Sequence, residues 1–268
     1  MKRTFLHILI ISSINSVSAQ FSLDHYHPAA LYAKEGIDTC SIYVLQPDSS
    51  LEIEQSYIYN EQGLEIENRK DDQGFSFKNI YDDSGRQVAQ YFVPFGEKFY
   101  ERDTLIYNAN NQLIKRITYE NDGSESYREE YDYEDNRIKE ERYILKNELQ
   151  TKYLYFYDSH NRLQHEELFF KGNHSEDWFY KYDRNDSLSS FANVAVNGDT
   201  TVLQKFEYNS LGLRVKHIIY TNRQLSMEYL TSYDDRKLIR YREAYTDIKN
   251  NDPLTGDYEK TIYKYTYR

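Results

Sequence analysis

The sequence predicts an all-β protein of tandem antiparallel β-hairpins, which form one long, twisted or coiled meander sheet of about sixteen strands. Three observations predict this fold. A phrase that begins with tyrosine recurs eight times, at intervals of 22 to 26 residues. Turn-forming residues occur twice in each period. The segments between the turns are rich in the β-branched and aromatic residues that strands favour.

The first residues have the composition of an export signal. Lys2 and Arg3 precede a mostly apolar stretch over residues 5–17, and Val17-Ser18-Ala19 supplies the small residues that a signal peptidase accepts. We therefore predict a signal peptide over residues 1–19 and export across the inner membrane, to the periplasm, the cell surface or the extracellular space. The apolar stretch is shorter than the roughly 20 residues that span a bilayer, and charged residues interrupt later apolar runs, so no transmembrane helix is predicted.

Residues 20–54 are predicted to be an N-terminal capping segment with a short helix over residues 28–36. Pro28 suits the first turn of that helix, and Gly36 suits the position just past its end. Residues 55–268 are predicted to be the repeat domain. Tyrosines alternate over residues 263–267, which predicts a final strand.

Charge and cysteine content restrict the class of protein. The net charge is −11, and it becomes −13 when Lys2 and Arg3 leave with the signal peptide. This charge argues against a nucleic-acid partner, because phosphates would be repelled. Cys40 is the only cysteine, so no intramolecular disulfide can form, and we expect the thiol to be buried as a small apolar group.

Each repeat-defining tyrosine starts a turn phrase. These residues are Tyr59, Tyr81, Tyr107, Tyr133, Tyr157, Tyr182, Tyr208 and Tyr233. The next residue is Asp or Asn in seven phrases and Glu134 in the other. Asp and Asn side chains accept hydrogen bonds from nearby backbone amides, which favours a tight turn. Glycine or asparagine follows at the fourth place after five of the tyrosines, where it can adopt the left-handed backbone conformation.

A second turn follows each phrase, 14 to 16 residues after the tyrosine. Its markers are Gly74, Gly96, Gly123, Asn147, Gly172, Gly198, Asn222 and Asp247. Each period therefore contains two turns and two strands, and strands joined by short turns run antiparallel. One hairpin is marginally stable in water, so each repeat needs its neighbours.

The tyrosines also recur at every second residue, which places their rings on one face of a strand. In register, neighbouring repeats would stack these rings across strands. The densest aromatic patch consists of Tyr153, Tyr155, Tyr157, Phe169, Trp178 and Tyr180. The first interpretation is that these rings pack on one another across strands. The second, and the best functional candidate, is that the patch binds a protein or carbohydrate partner, since such rings stack on sugars and anchor proteins.

No catalytic residue, metal site or cofactor is predicted, and the chain is predicted not to be an enzyme. The sequence contains no G-x-S-x-G elbow and no G-x-G-x-x-G after a strand. His25 and His27 lack a third firm metal ligand. His160, His165 and His174 fall at turn and strand positions that predict no common site.

The repeated phrase resembles the YD repeat of RHS-type and related bacterial proteins, over roughly residues 55–245. The best matches are YDDSGR at residues 81–86 and YDSHNRL at residues 157–163. The resemblance implies β-hairpins that coil into a spiral strip or shell. It implies no particular activity.

Three functions remain open at this point. The preferred one is a secreted, non-catalytic scaffold or binding protein with an aromatic-rich sheet. The second is an outer-membrane-associated β-barrel, although a lipid-facing strand should be apolar at every second position, and residues 137–143 are not. The third is a glycan-active enzyme on a β-repeat scaffold, which would need two acids in different environments within a cleft.

Overall fold

The structure is a computed structural model, and it describes residues 29–46, 49–70, 73–96, 101–246 and 257–267. The signal-peptide prediction and the pair His25 and His27 lie outside these residues. The described residues include one helix, α1 (Ala29–Glu35), as the sequence predicts. Gly36 follows it with a φ of 65°, a conformation that glycine adopts without steric cost. None of the described helical residues forms a segment long and apolar enough to cross a membrane.

The described residues also form eighteen strands. The first nine are β1 (Ile37–Leu45), β2 (Leu51–Tyr59), β3 (Glu65–Lys70), β4 (Phe75–Tyr81), β5 (Gln87–Pro94), β6 (Glu101–Tyr107), β7 (Leu113–Tyr119), β8 (Glu125–Glu134) and β9 (Arg137–Leu145). The others are β10 (Glu148–Tyr157), β11 (Leu163–Phe170), β12 (Asn173–Tyr182), β13 (Leu188–Ala195), β14 (Thr200–Tyr208), β15 (Arg214–Thr221), β16 (Gln224–Tyr233), β17 (Ile239–Thr246) and β18 (Asp257–Tyr267).

Each strand pairs antiparallel with its neighbours along the chain, and β1 pairs with both β2 and β18. Ile42 lies opposite Tyr263 in that closing pair, and Val44 lies opposite Thr261. The predicted hairpin meander is confirmed. The sequence predicts a long, twisted or coiled sheet of about sixteen strands, whereas the described residues form eighteen strands that close into a barrel. Because of this closure, each of the eighteen described strands is paired on both sides, which removes a site of aggregation.

The repeat-defining tyrosines lie at the ends of the even-numbered strands from β2 to β16. In seven of the eight turns that follow, the Asp or Asn side chain accepts hydrogen bonds from amides two and four residues later. Asp158 Oδ1, for example, accepts from the amides of His160 at 2.9 Å and Arg162 at 3.0 Å. Asn161 has a φ of 69° in the same turn. The predicted turn chemistry is confirmed.

The tyrosine hydroxyl explains why the tyrosine recurs. From the second repeat onward, it donates to a backbone carbonyl near the start of the odd-numbered strand in the preceding repeat. The pairs are Tyr81–Glu65, Tyr107–Gln87, Tyr133–Leu113, Tyr157–Ile138, Tyr182–Leu163, Tyr208–Leu188 and Tyr233–Arg214, at 2.7 to 2.9 Å. Tyr265 in β18 extends the series to Ile239 at 2.9 Å. Each tyrosine thereby ties one hairpin to the hairpin before it.

One face of the sheet carries most of the buried side chains, and we call it the inner face. Tyr131, Glu141, Tyr155 and Phe191 are buried there. Helix α1 packs on this face beside the closing strands, where the rings of Tyr32 and Tyr59 have centroids 4.4 Å apart. Tyr32 and Tyr59 share a buried cluster with Ile37, Cys40, Ile42, Tyr57, Leu238, Ile239 and Tyr263. Cys40 is free and only 3% exposed, as expected from the sequence.

The closing pair allows a direct test of the barrel. Ser41 of β1 lies opposite Lys264 of β18, and paired antiparallel residues have Cα separations that a disulfide can bridge. In a Cys40→Ser background, we expect the double substitution Ser41→Cys with Lys264→Cys to cross-link under mild oxidation. The measurement is the non-reducing gel mobility of the monomer. A matched pair out of register, Ser41→Cys with Lys260→Cys, should stay reduced, and equal cross-linking of both pairs would contradict the closing register.

Candidate functional site

Buried carboxylates paired with tyrosine hydroxyls are the main polar feature of the inner face. Tyr155 donates to Glu141 Oε2 at 2.7 Å, and Tyr180 donates to Glu166 Oε2 at 2.6 Å. In both pairs the tyrosine is 14 residues after the glutamate, because the same inner-face positions recur in consecutive hairpins. A third pair lies within β8, where Tyr131 donates to a carboxylate oxygen of Glu129 at 2.8 Å.

Burial raises the pKa of two glutamates of the barrel, Glu166 and Glu65. It raises the pKa of Glu166 to about 7, because removing a carboxylate from water disfavours its charged form, while the hydrogen bond from Tyr180 opposes the rise. Burial likewise raises the pKa of Glu65 to about 7, against a hydrogen bond from Asn79 and the charge of Lys70. Burial therefore moves the pKa of both carboxyls toward neutral pH.

Arg116 compensates a second group of inner-face acids. Its Nε donates to Asp103 Oδ2 at 2.8 Å, and the Thr118 hydroxyl donates to Asp103 Oδ1 at 2.6 Å. A terminal nitrogen of Arg116 lies 3.9 Å from Glu129 Oε2. Burial raises the pKa of Glu129, while Arg116 and the Tyr131 hydroxyl oppose that rise. Arg116 thus stabilises two carboxylates that would otherwise repel each other.

The predicted aromatic patch is divided between the two faces of the sheet. The register of β10 to β13 places Tyr153, Tyr155, Tyr157, Trp178 and Tyr180 on the inner face. Phe169 lies on the outer face, where its ring centroid is 5.3 Å from that of His174. Five of the six residues therefore share one surface, and Phe169 does not belong to it. Their role in binding a protein or carbohydrate stays a prediction.

An aromatic row extends this inner-face surface. Phe191 contacts both Trp178 and Tyr180, with ring centroids 5.6 and 5.8 Å apart. The row continues from Phe191 to Phe206 at 5.9 Å and from Phe206 to His217 at 4.8 Å. The stacking of rings across neighbouring strands, which the tyrosine spacing predicts, is present here. Phenylalanine and histidine supply much of it.

Sequence reasoning missed two groups of residues. The buried acids Glu141 and Glu166 could not be separated by sequence from the many solvated carboxylates. The histidine prediction is wrong for two of its three members, because His165 and His174 both contact Asp177 Oδ1, at 3.1 and 3.0 Å. The irregularity in the register between Leu168 and Phe169 brings His174 onto the same outer face as His165, which simple alternation cannot predict.

Comparison with known proteins gives no family. No family model matches the chain, and no curated protein matches it. Some solved structures match along most of both chains. One is a porin-like protein from Bacteroides uniformis ATCC 8492, with 9% identity and a TM-score of 0.48. The match covers 86% of this chain and 98% of that chain. A DUF1329 family protein from Desulfovibrio piger ATCC 29098 has 11% identity, 88% coverage of each chain and a TM-score of 0.25. A LolA superfamily protein from Nitrosomonas europaea has 12% identity, 88% coverage of each chain and a TM-score of 0.19. At such values no function transfers to this chain.

The YD-repeat resemblance is wrong as a statement of family. The resemblance implies a spiral strip or shell, whereas β1 and β18 pair and close the sheet into a barrel. No family model matches the chain either. The phrase itself has a local physical cause. A tyrosine that clamps the preceding hairpin and an Asp or Asn that closes a tight turn are useful in any such meander. The closed sheet agrees with the β-barrel alternative better than with an open binding sheet.

Proposed function

We propose that this protein is an outer-membrane-associated β-barrel of the cell envelope that acts by binding and not by catalysis. The observation that carries the proposal is the closure of all eighteen strands through the β1–β18 pair. A closed antiparallel barrel behind an export signal is an architecture of envelope proteins. The low-similarity structures named above carry none of this argument.

The outer face favours a barrel whose wall stands in water. Glu130 of β8 contacts Lys115 at 3.2 Å and Arg128 at 3.0 Å, and Arg142 contacts Asp132 at 2.8 Å. A lipid-facing wall would place these charges in hydrocarbon at high cost. We therefore propose that the barrel attaches to the surface of the membrane and that its strands do not cross the bilayer.

A second element of the proposal concerns the inner face. Tyr153, Trp178 and Tyr180 lie beside the aromatic row, and all three are only partly buried. Aromatic faces next to hydroxyl and carboxylate groups suit a carbohydrate or a protein loop, because rings stack on sugars while polar groups accept their hydrogen bonds. The rings would then serve both packing and recognition.

Fractionation of the envelope tests the location. We expect the protein to sediment with the outer membrane and to be released by a carbonate or urea wash without detergent, because its outer face is charged. A known integral outer-membrane barrel, which should stay in the pellet, is the control. Recovery only in the cytoplasm or the culture medium would contradict outer-membrane association. Release only by detergent would contradict a water-facing wall.

A further inference from the structure

Four polar side chains form a cluster on the outer face of β11 and β12. They are His165, Glu167, His174 and Asp177. The ligand atoms of His165, Glu167 and Asp177 all lie within 4.8 Å of one another. His165 Nε2 and His174 Nε2 are 3.1 and 3.0 Å from the same oxygen, Asp177 Oδ1. Strand pairing alone therefore brings one imidazole and two carboxylates together, with a second imidazole beside one carboxylate.

The two carboxylates face each other directly across the β11–β12 pair. Glu167 and Asp177 are direct cross-strand partners, an arrangement that is destabilising for like charges. Their other neighbours in the same row are the apolar residues Leu154 and Val194. In the part of the chain that the structure describes, no lysine or arginine forms an ion pair with either acid. The cluster thus has a local excess of negative charge that a bound cation would neutralise.

Aromatic rings hold the imidazole in place. His165 is sandwiched between Phe156 and Phe179, with centroid distances of 5.2 and 4.6 Å and interplanar angles of 20° and 4°. This stacking fixes the ring so that Nε2 points to Asp177. The carboxylate is in turn held by the hydrogen bond to His174. Groups held in this way lose little conformational entropy when they bind an ion.

We infer that His165 Nε2 and the carboxylates of Glu167 and Asp177 bind one divalent transition-metal ion of the Zn²⁺ class. Mixed imidazole and carboxylate ligands suit this class. Zinc bonds of about 2.1 Å set neighbouring tetrahedral ligand atoms about 3.4 Å apart. His165 Nε2 and Asp177 Oδ1 are 3.1 Å apart, so a small movement accommodates the ion. Binding through Nε2 requires the neutral His165 tautomer that carries its proton on Nδ1. A fourth position is left for water, and His174 is a positioning residue for Asp177.

Zinc titration of the purified chain by calorimetry tests this site. We expect one Zn²⁺ per chain, and a loss of affinity of about tenfold or more in Asp177→Asn and in His165→Gln. His174→Gln should weaken binding less, because it removes only the contact that orients Asp177. His160→Ala is the matched control, since this exposed histidine lies in the same repeat outside the cluster, and its affinity should equal that of the wild type.

Two further measurements keep the result decisive. Circular dichroism of each variant establishes that it is folded, and Co²⁺ should give the visible spectrum of a tetrahedral complex in the wild type and not in Asp177→Asn. The inference is overturned if the folded wild type binds no Zn²⁺. It is also overturned if Asp177→Asn binds as tightly as the wild type, or if binding is lost in a His25→Ala, His27→Ala variant with the cluster intact.

Discussion

Replacing Glu166 with glutamine is expected to stabilise the barrel by about 3 kcal/mol at pH 8 and to change little at pH 4. Burial raises the pKa of Glu166 from its ordinary 4.5 to about 7 in the folded protein. Between pH 4.5 and about pH 7, the Glu166 carboxyl of the folded protein holds a proton that the same carboxyl of the unfolded chain has released. The free energy of unfolding of the wild type therefore falls as pH rises through this window. A shift of about 2.5 pKa units corresponds to roughly 3 kcal/mol.

Glu166→Gln removes the titrating carboxyl and keeps an acceptor for the hydrogen bond from Tyr180. The amide oxygen of Gln can still accept the Tyr180 hydroxyl, which is 2.6 Å from Glu166 Oε2 in the wild type. Urea unfolding at pH 4, 6 and 8 measures the effect. Glu207→Gln, at an exposed position on β14, changes the net charge by the same amount and should leave the pH profile as it is. A wild type whose stability rises between pH 5 and 8, with the same rise in Glu166→Gln, would contradict the enclosed carboxyl.

The local features of the fold could be predicted from sequence because their causes are local. The Asp or Asn after seven of the eight tyrosines accepts hydrogen bonds from amides within four residues. In five of these turns a glycine or asparagine adopts a positive φ. Helix α1 and Gly36, which follows it, could be predicted for the same reason, because their signals are also local. Closure depends on the pairing of β1 with β18, whose partners are more than 200 residues apart in sequence. The alternation of side chains along a single strand cannot encode such a contact, since an open meander and a closed meander have the same turns and the same alternation.

The candidate site was hard to predict for a related reason. Charges on both faces of β9 do not fit a lipid-facing strand, and the structure explains them. Glu141 lies on the inner face and accepts the hydroxyl of Tyr155, whereas Glu140 lies on the outer face and pairs with Arg142 at 2.9 Å. Two adjacent glutamates thus have opposite environments. Their difference depends on the partner strand, and a single strand read alone contains no signal for it.

The second large effect on stability is expected at Tyr155, on the inner face. Tyr155→Ala is expected to destabilise the barrel by about 3–5 kcal/mol, as large aromatic truncations in a core do. Tyr155 is 5% exposed, stacks on Tyr153 with centroids 6.4 Å apart, and donates its hydroxyl to Glu141. The substitution removes the ring and the donor together. Tyr155→Phe keeps the ring and should cost about 1–3 kcal/mol, the usual cost of losing one partner in a buried hydrogen bond.

Tyr153→Ala is the matched control, since Tyr153 lies on the same face of the same strand and is only half-buried. We expect it to cost less than Tyr155→Ala in the same urea unfolding series, with an unchanged dependence on denaturant. Comparing the two alanine variants shows which of the two tyrosine rings contributes to the stability of the fold. A large loss at Tyr155 with a small one at Tyr153 assigns Tyr155 to the fold and leaves Tyr153 available to a ligand. A near-neutral Tyr155→Ala would instead mean that the inner face is solvated and that its whole ring surface is available for binding.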